Sequence, residues 1–336
     1  MTLVVHAPNV HLGGGRALLL ALLSTLSEPA VVQLDERLAP LPNLAPSVRV
    51  IWVTPSLVGR LQAEHRLQLL CRSGDILLCF GNLPPLFRNS ARVFVYLQNR
   101  YLTSSRLLSG LPWSARLRIR IERLWLRHRL NNASLLVQTE TMLQDVQENF
   151  GCEASVLPYL PREVQTSVEK PPVLFDYLYV ASGEPHKNHR RLLQAWVLLA
   201  KRGFRPSLCL TLDTQRDATL CAWVERLVRK HCLRVANNPV LPSEIFGLYE
   251  QCSALIYPSL FESFGLPLLE ARQVGMTIVA AERDYVRDVV VPVESFDPES
   301  EVSIARAVIR HQNGKVVEPA LPGDAANFLE RLSALV

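Results

Sequence analysis

Short apolar runs that end at turn residues alternate with longer helical stretches along this chain, and that alternation limits the fold more than any other feature. Thr2–Ala7 reads as a strand, Asn9–Gly15 as a loop and Arg16–Leu26 as a helix. Further strand-like runs fall at Ala30–Leu34, Val48–Val53, Ile76–Phe80, Val93–Leu97 and Leu135–Gln138, with helical stretches between them, notably Leu57–Cys71 and Thr141–Phe150. Such alternation predicts a parallel sheet wrapped by helices, because each helix must bury its apolar side against the sheet. Prolines then cluster from Leu157-Pro-Tyr-Leu-Pro161 to Lys170-Pro-Pro172, which reads as a hinge. Beyond it the alternation restarts, with strand Tyr177–Ala181, helix His189–Arg202, strand Ser207–Leu212, helix Ala218–His231 and strand Ala254–Pro258. A short helix over 267–274, strand Thr277–Ala281 and helix Glu301–Gln312 complete it. Nothing repeats at a fixed short period, which sets a solenoid aside. The expectation is an α/β chain of two Rossmann-like halves, residues 1–158 and 173–320, with a closing helix in 321–336.

The bulk numbers agree with two medium domains. The chain has 336 residues, enough for substantial cores, and its 49% apolar content excludes disorder. Seven cysteines form an odd set without any C-x-x-C, and most lie in apolar runs, so reduced core thiols in the cytoplasm are expected. The apolar stretch Ala17–Leu26 is too short to span a bilayer, and it follows a strand and a glycine loop rather than a charged leader. It reads as a buried first helix.

Chemistry concentrates in Glu262-Ser-Phe-Gly-Leu-Pro-Leu-Leu-Glu270. Pro267 suits the first turn of a helix and Gly275 a left-handed cap after it, so the segment is a strand, a glycine loop and a helix N-terminus. Such an end offers free N–H groups and a positive dipole to an anion. A phosphate would fit the amides of Gly265 and Leu266, with Phe264 beside them and a carboxylate near to accept from sugar hydroxyls. Two glutamates at this spacing also arise by chance around an ordinary turn. The wider string, Pro258-Ser-Leu-Phe-Glu-Ser-Phe-Gly-Leu-Pro-Leu-Leu-Glu-Ala271, is far more specific.

That string resembles the donor-site motif of the large retaining family of GT-B glycosyltransferases (glycosyltransferase family 4, glycosyl transferases group 1), and looks mannosyltransferase-like. The resemblance runs over most of the chain and is strongest in residues 177–298. It implies two Rossmann-like domains facing each other across a cleft, the first for the acceptor and the second for a nucleotide-sugar. Glu262 would then contact the donor sugar and stabilise charge at its anomeric carbon, Glu270 would hold the ribose, and the Gly265 and Leu266 amides the distal phosphate. In Tyr179-Val-Ala-Ser-Gly-Glu-Pro-His-Lys187-Asn188, Asn188 suits a helix N-cap and Lys187 stands beside that helix. An ordinary surface lysine is the plain alternative; similarity to the family's Gly-Arg…Lys-Asn motif makes Lys187 the diphosphate ligand. The arginine expected five residues earlier is Ser182, and Arg190, Arg191 or His186 could supply its charge.

Asn9-Val-His-Leu-Gly13-Gly14-Gly15-Arg16 resembles the family's glycine loop, which places Gly14 and Gly15 near the donor and leaves His11 a cleft candidate; a plain turn is the alternative. His6 reads as a structural histidine. Where relatives often carry His-Asp, this chain has Gln98-Asn99, acceptor-side candidates with no ionisable base. A retaining mechanism tolerates that, whereas an inverting one needs an Asp, Glu or His base there. There is no D-x-D motif and no His/Cys set with metal-ligand spacing, so neither a metal nor any other cofactor is expected.

Arg100–Leu130 holds eight arginines. On a helix over Ser114–Leu130, Arg116, Arg120, Arg123 and Arg127 fall within about 60°, with Leu117, Ile121 and Leu124 on one flank and Ile119, Leu126 and Leu130 on the other. A basic ridge between apolar flanks suits an anionic membrane surface; nucleic acid fits poorly, since no recognition fold accompanies it and net charge is only +5. The combined expectation is a retaining, metal-independent glycosyltransferase held peripherally at the cytoplasmic face of the membrane. It would pass sugar, with GDP-mannose favoured over UDP-sugars, to a lipid-linked or lipopolysaccharide glycan, as in O-antigen assembly. The alternatives are a catalytically inactive scaffold of a glycan-assembly complex and a sugar-nucleotide epimerase of the same fold.

Overall fold

The computed structural model describes residues 1–41, 43–104, 111–130, 133–161, 171–240, 244–311 and 323–335. Arg106, the middle of the proline-rich hinge (162–170), Gln312 and residues 321–322 lie outside them. The chain divides into two compact units, Met1–Glu163 with Pro322–Val336, and Val164–Leu321.

The N-terminal unit runs β1 (Leu3–Ala7), α1 (Gly13–Ser24), β2 (Ala30–Asp35), β3 (Val48–Val53), α2 (Leu57–Leu70), β4 (Ile76–Cys79) and β5 (Arg92–Tyr96). It continues through α3 (Arg100–Thr103), α4 (Trp113–Arg129), β6 (Ala133–Val137), α5 (Glu140–Phe150) and β7 (Ala154–Val156). Among the described residues its sheet has seven strands, all parallel, in the order β3-β2-β1-β4-β5-β6-β7. The strands are apolar on both sides because helices cover both faces. On one face, Ile119 and Leu126 of α4 and Met142 and Val146 of α5 pack with Leu77, Val95 and Val137 of the sheet.

The C-terminal unit runs β8 (Phe175–Tyr179), α6 (His189–Lys201), β9 (Leu208–Leu210), α7 (Ala218–His231), β10 (Val235–Asn237), α8 (Ile245–Glu250) and β11 (Cys252–Tyr257). Then follow α9 (Leu266–Gln273), β12 (Thr277–Ala281), α10 (Asp284–Arg287), β13 (Glu294–Phe296) and α11 (Glu301–Arg310). Its parallel sheet has the order β10-β9-β8-β11-β12-β13. In both units the order reverses beside the first strand, leaving a crevice at the carboxyl ends of β1 and β4, and of β8 and β11. Doubly wound sheets bind ligands at such switch points.

The last helix, α12 (Ala325–Ala334), belongs to the first unit. Its Phe328 ring lies 4.6 Å from Tyr159 and 5.4 Å from Tyr96, centre to centre.

Two local readings are corrected. Residues 13–15 are not loop: Leu12 is extended and Gly13, at φ +62°, opens α1, so Gly14 and Gly15 form its first turn. The strand expected at Tyr177–Ala181 lies two residues earlier, because Asp176 anchors its start, its Oδ2 accepting from the Ser207 amide (2.6 Å) and hydroxyl (2.7 Å) ahead of β9. An apolar count skips that aspartate.

Candidate donor site and acceptor edge

The loops after β8 and β11 leave adjacent parallel strands at the same edge of the C-terminal sheet, so they must meet. Lys187, at the end of the first loop, donates from Nζ to Glu262 Oε1 on the second at 2.6 Å. The pair is partly sheltered, with side chains 17% and 11% exposed, and Tyr257 at the end of β11 donates its hydroxyl to the same oxygen (3.2 Å). Glu262 Oε2 has no hydrogen-bond partner among the described residues. The two glutamates of the motif therefore occupy different settings. Glu270, one turn into α9, accepts at Oε2 from the buried Tyr249 hydroxyl (2.8 Å), and burial pushes its carboxyl above the usual range despite that bond.

Backbone ties lock the loops. Leu260 donates its amide to His186 O (2.8 Å), the Tyr179 hydroxyl donates to Lys187 O (2.5 Å), and the Tyr285 hydroxyl donates to Ser259 O (2.7 Å). Asn188 precedes α6, but its side chain does not cap that helix. At φ +63° it turns its amide away, donating to Pro258 O (3.1 Å) and to Pro298 O (2.7 Å). His189 follows, buried against the Tyr179 ring at 4.7 Å, and burial drops its imidazole to about 4. Gly265 heads α9 at φ +76°, a left-handed geometry that a side chain resists. The amide of Leu266, in the first turn of that helix, has no partner within it. Phe264 is buried, so it offers a ligand only its backbone.

Ser182 donates its hydroxyl to Glu184, which is also approached by Arg216 Nη2 at 3.4 Å. Against the upward push of burial, the Ser182 bond and the Arg216 and Lys187 charges hold the Glu184 carboxyl below its usual range. Two of the three groups expected to replace the missing arginine are engaged elsewhere: Arg190 sits 4.8 Å over the Trp223 ring, and Arg191 lies 3.9 Å from Glu301. Arg216, in the Asp213–Asp217 turn after β9, escaped the sequence reading because its only signal is position at the carboxyl end of a neighbouring strand. Tyr179, Tyr249, Tyr257 and Tyr285 escaped too, since buried tyrosines in apolar runs look like core.

At the same edge of the N-terminal sheet, Gly15 and Gln98 come together: a Cβ added to Gly15 would meet Gln98 Oε1 at 3.2 Å. Gln98 Nε2 donates to Phe80 O (3.1 Å), and Asn99 Oδ1 accepts from the Tyr101 amide (3.1 Å), so both act in holding the loop. His11 Nδ1 stands 3.8 Å from the buried Asp35, whose carboxylate is gripped by Arg37 Nε (2.8 Å) and Nη2 (2.6 Å). His6 is sealed between Gln33 and Glu64.

The four arginines of the basic ridge are not alike. Arg116 donates to Leu111 O (2.7 Å), Arg123 to Tyr101 O (2.9 Å) and Ser104 O (2.6 Å), and Arg127 to Asn149 O (3.1 Å). Ile119 and Leu126, expected as one surface flank, are core.

Residues 162–319 match the family model described as Glycosyl transferases group 1. The chain carries a glycosyl transferases group 1 domain. That domain accounts for nearly the whole C-terminal unit, and its Lys187–Glu262 pair sits at the switch point of the sheet. Over 150 residues, 43% of the chain, it is 32% identical to the O-antigen chain mannosyltransferase B of Escherichia coli; over 155 residues it is 25% identical to the serotype-specific mannosyltransferase WbdA of the same species. These matches span only 39% and 18% of those relatives' lengths. The structure of Anabaena Alr3699/HepE in complex with UDP and glucose superposes with a TM-score of 0.69 over 100% of this chain and 99% of that one, at 12% identity. The likeness is one of fold, and the fold class is GT-B.

Proposed function

We propose that the chain is a retaining glycosyltransferase that moves a sugar from a nucleotide-sugar to a lipid-linked or lipopolysaccharide glycan. The observation that carries this reading is the Lys187–Glu262 ion pair set beside the N-terminus of α9. A donor diphosphate competes for Lys187 and lies against the Gly265 and Leu266 amides. Its arrival frees Glu262 to face the sugar, where a carboxylate stabilises the positive charge that develops at the anomeric carbon. Glu270, with Oε2 fixed by Tyr249, keeps Oε1 for a ribose hydroxyl. Arg216 extends the cationic rim beside Ser182.

The acceptor hydroxyl oxygen attacks the anomeric carbon on the face from which the diphosphate leaves, and its proton passes to a diphosphate oxygen. No base at Gln98 or Asn99 is needed, which favours retention of configuration. Lys187 and the helix amides carry the leaving charge in place of a metal ion. Mannose is favoured as the sugar because the E. coli relatives are named as mannosyltransferases, and GDP-mannose is the donor we favour over UDP-sugars. Their O-antigen and serotype names support a glycan acceptor.

The test is thermal stabilisation by UDP, GDP, ADP, CMP and their sugars, with and without EDTA. A shift with one nucleotide, unchanged by EDTA and lost in Lys187→Ala, is expected. Stabilisation by none of them would overturn the reading and leave the non-catalytic scaffold; donor sugar converted without an acceptor would point to the epimerase.

A further inference from the structure

α4 turns toward solvent a face that no globular interior requires. Trp113 is 76% exposed, Leu117 43%, Ile121 56% and Leu124 59%. At the α-helical period these four share an arc of about 80°, which also holds the exposed His128, its Nδ1 2.9 Å from Leu124 O. Arg120 and Arg127 border it on one side, Arg118 and Arg129 on the other. The single acid of the helix, Glu122, lies just beyond that second border, 3.8 Å from Arg118. Arg120 and Arg127, with Arg123 between them and Leu124 and Phe150 beside them, line a cavity of about 230 Å³ at the border of the apolar arc. A neighbouring helix continues the theme: Arg60 of α2 reaches to 6.0 Å over the Trp125 ring, and the first turn of α2 exposes Leu57, Val58 and Leu61.

We infer that this face is a docking surface for anionic phospholipid, with Trp113, Leu117, Ile121 and Leu124 entering the acyl boundary and a headgroup phosphate received at the Arg120–Arg127 cavity. It rests on the reading that the acceptor is lipid-linked, and relocates the contact from a ridge of four arginines to an apolar stripe with arginine borders. The relocation follows from the part-buried hydrogen bonds that tie Arg116 and Arg123 to the protein's own carbonyls, whereas the one bond of Arg127, to Asn149 O, lies at the exposed surface. Three features select the occupant. Apolar side chains at helical spacing between rows of guanidinium groups are what an interfacial helix needs, since arginine stems lie along the apolar boundary while their heads meet phosphate. A second copy of the chain is disfavoured, because a self-paired face would set arginine against arginine. The described residues hold no helix long and apolar enough to cross a membrane, so a surface contact is the one α4 can make.

Flotation with phosphatidylcholine vesicles, with and without phosphatidylglycerol, tests it on the full chain. The wild type is expected to float with the anionic vesicles. Leu117→Ser/Ile121→Ser/Leu124→Ser should weaken that binding by roughly tenfold or more, and Arg120→Ser/Arg127→Ser should remove the preference for phosphatidylglycerol. Lipids brominated in the acyl chain should quench a tryptophan signal that Trp113→Phe lacks. These side chains face outward, so circular dichroism and nucleotide stabilisation should match the wild type. Failure of the wild type to bind either vesicle, serine variants that bind as well as it does, or a signal blind to brominated lipid would each overturn the surface. Loss of vesicle binding with nucleotide stabilisation intact would reject the surface alone; vesicle binding without nucleotide stabilisation would uphold it and reject the donor site.

Discussion

In the N-terminal unit the loops leaving the sheet are held by amides: Asn9 Nδ2 donates to Gly81 O (3.4 Å), and Asn82 Oδ1 accepts from the backbone N–H groups of Gln98 (2.5 Å) and Asn99 (2.9 Å). In the C-terminal unit the corresponding loops meet through charge, Lys187 against Glu262. The scaffolds are alike even in detail, each using a left-handed asparagine at the sheet's carboxyl edge, Asn82 at φ +70° and Asn188 at φ +63°. Charges exist near the first edge too, but their carboxylates are sealed. Glu64 is buried between His6, Arg60 and the Leu86 amide, and Asp35 is closed by Arg37. A carboxylate that is satisfied and buried suits stability; the proposed donor site needs a pair that a competing anion can reach. The difference between the units is one of access, on the same topology.

The largest effect should come from the open pair. Glu262→Gln is expected to cut glycosyl transfer by at least about a thousandfold while nucleotide-induced stabilisation persists, because an amide cannot balance the charge on the sugar. Gln98→Ala in the other unit should cost less than about tenfold, since it carries no charge. An initial-rate comparison of the two variants would break the contrast if their order were reversed.

Protonation separates the units next. The folded imidazole of His189, near 4, lies below its ordinary value of 6.5, so the unfolded chain binds the extra proton between those values. Stability is therefore full above pH 6.5 and falls as pH drops toward 4, by about 3 kcal/mol. Denaturant midpoints measured across that range should lose this slope in His189→Phe, and an unchanged slope would place the titrating group elsewhere.

The paired asparagines give a smaller, symmetrical test. Asn188→Ala removes two buried side-chain bonds and Asn82→Ala the acceptor for two amides, each costing about 2 kcal/mol in urea unfolding. Glycines give the smallest effect. Gly265→Ala should cost about 1–2 kcal/mol, because its φ is +76° and the new Cβ meets Leu268 Cδ1 at 3.0 Å. Gly15→Ala should stay within about 1 kcal/mol, because α1 needs no left-handed residue there and gains helix propensity. Melting curves for both would sharpen the distinction between a required turn and a close approach.

Much of this was legible in order of residues alone. The βα alternation fixed two parallel sheets, since period and breakers are local properties, and Thr277–Ala281 emerges as the strand expected. The strand–glycine–helix reading of Gly265 and Pro267 holds for the same reason, a turn being decided by its own few residues. What distance along the chain hides is partnership. Lys187 and Glu262 are 75 positions apart, and only the pairing of β8 with β11 brings them together. Glycine counting misplaced the start of α1, and angular counting on α4 could not tell which arginines bond inward, because both depend on neighbours from other elements. Sequence by itself set the elements and the residue types at each strand's end. Tertiary structure alone decided which charges meet a partner and how deeply each is buried, because burial and pairing are properties of surroundings that no single segment contains.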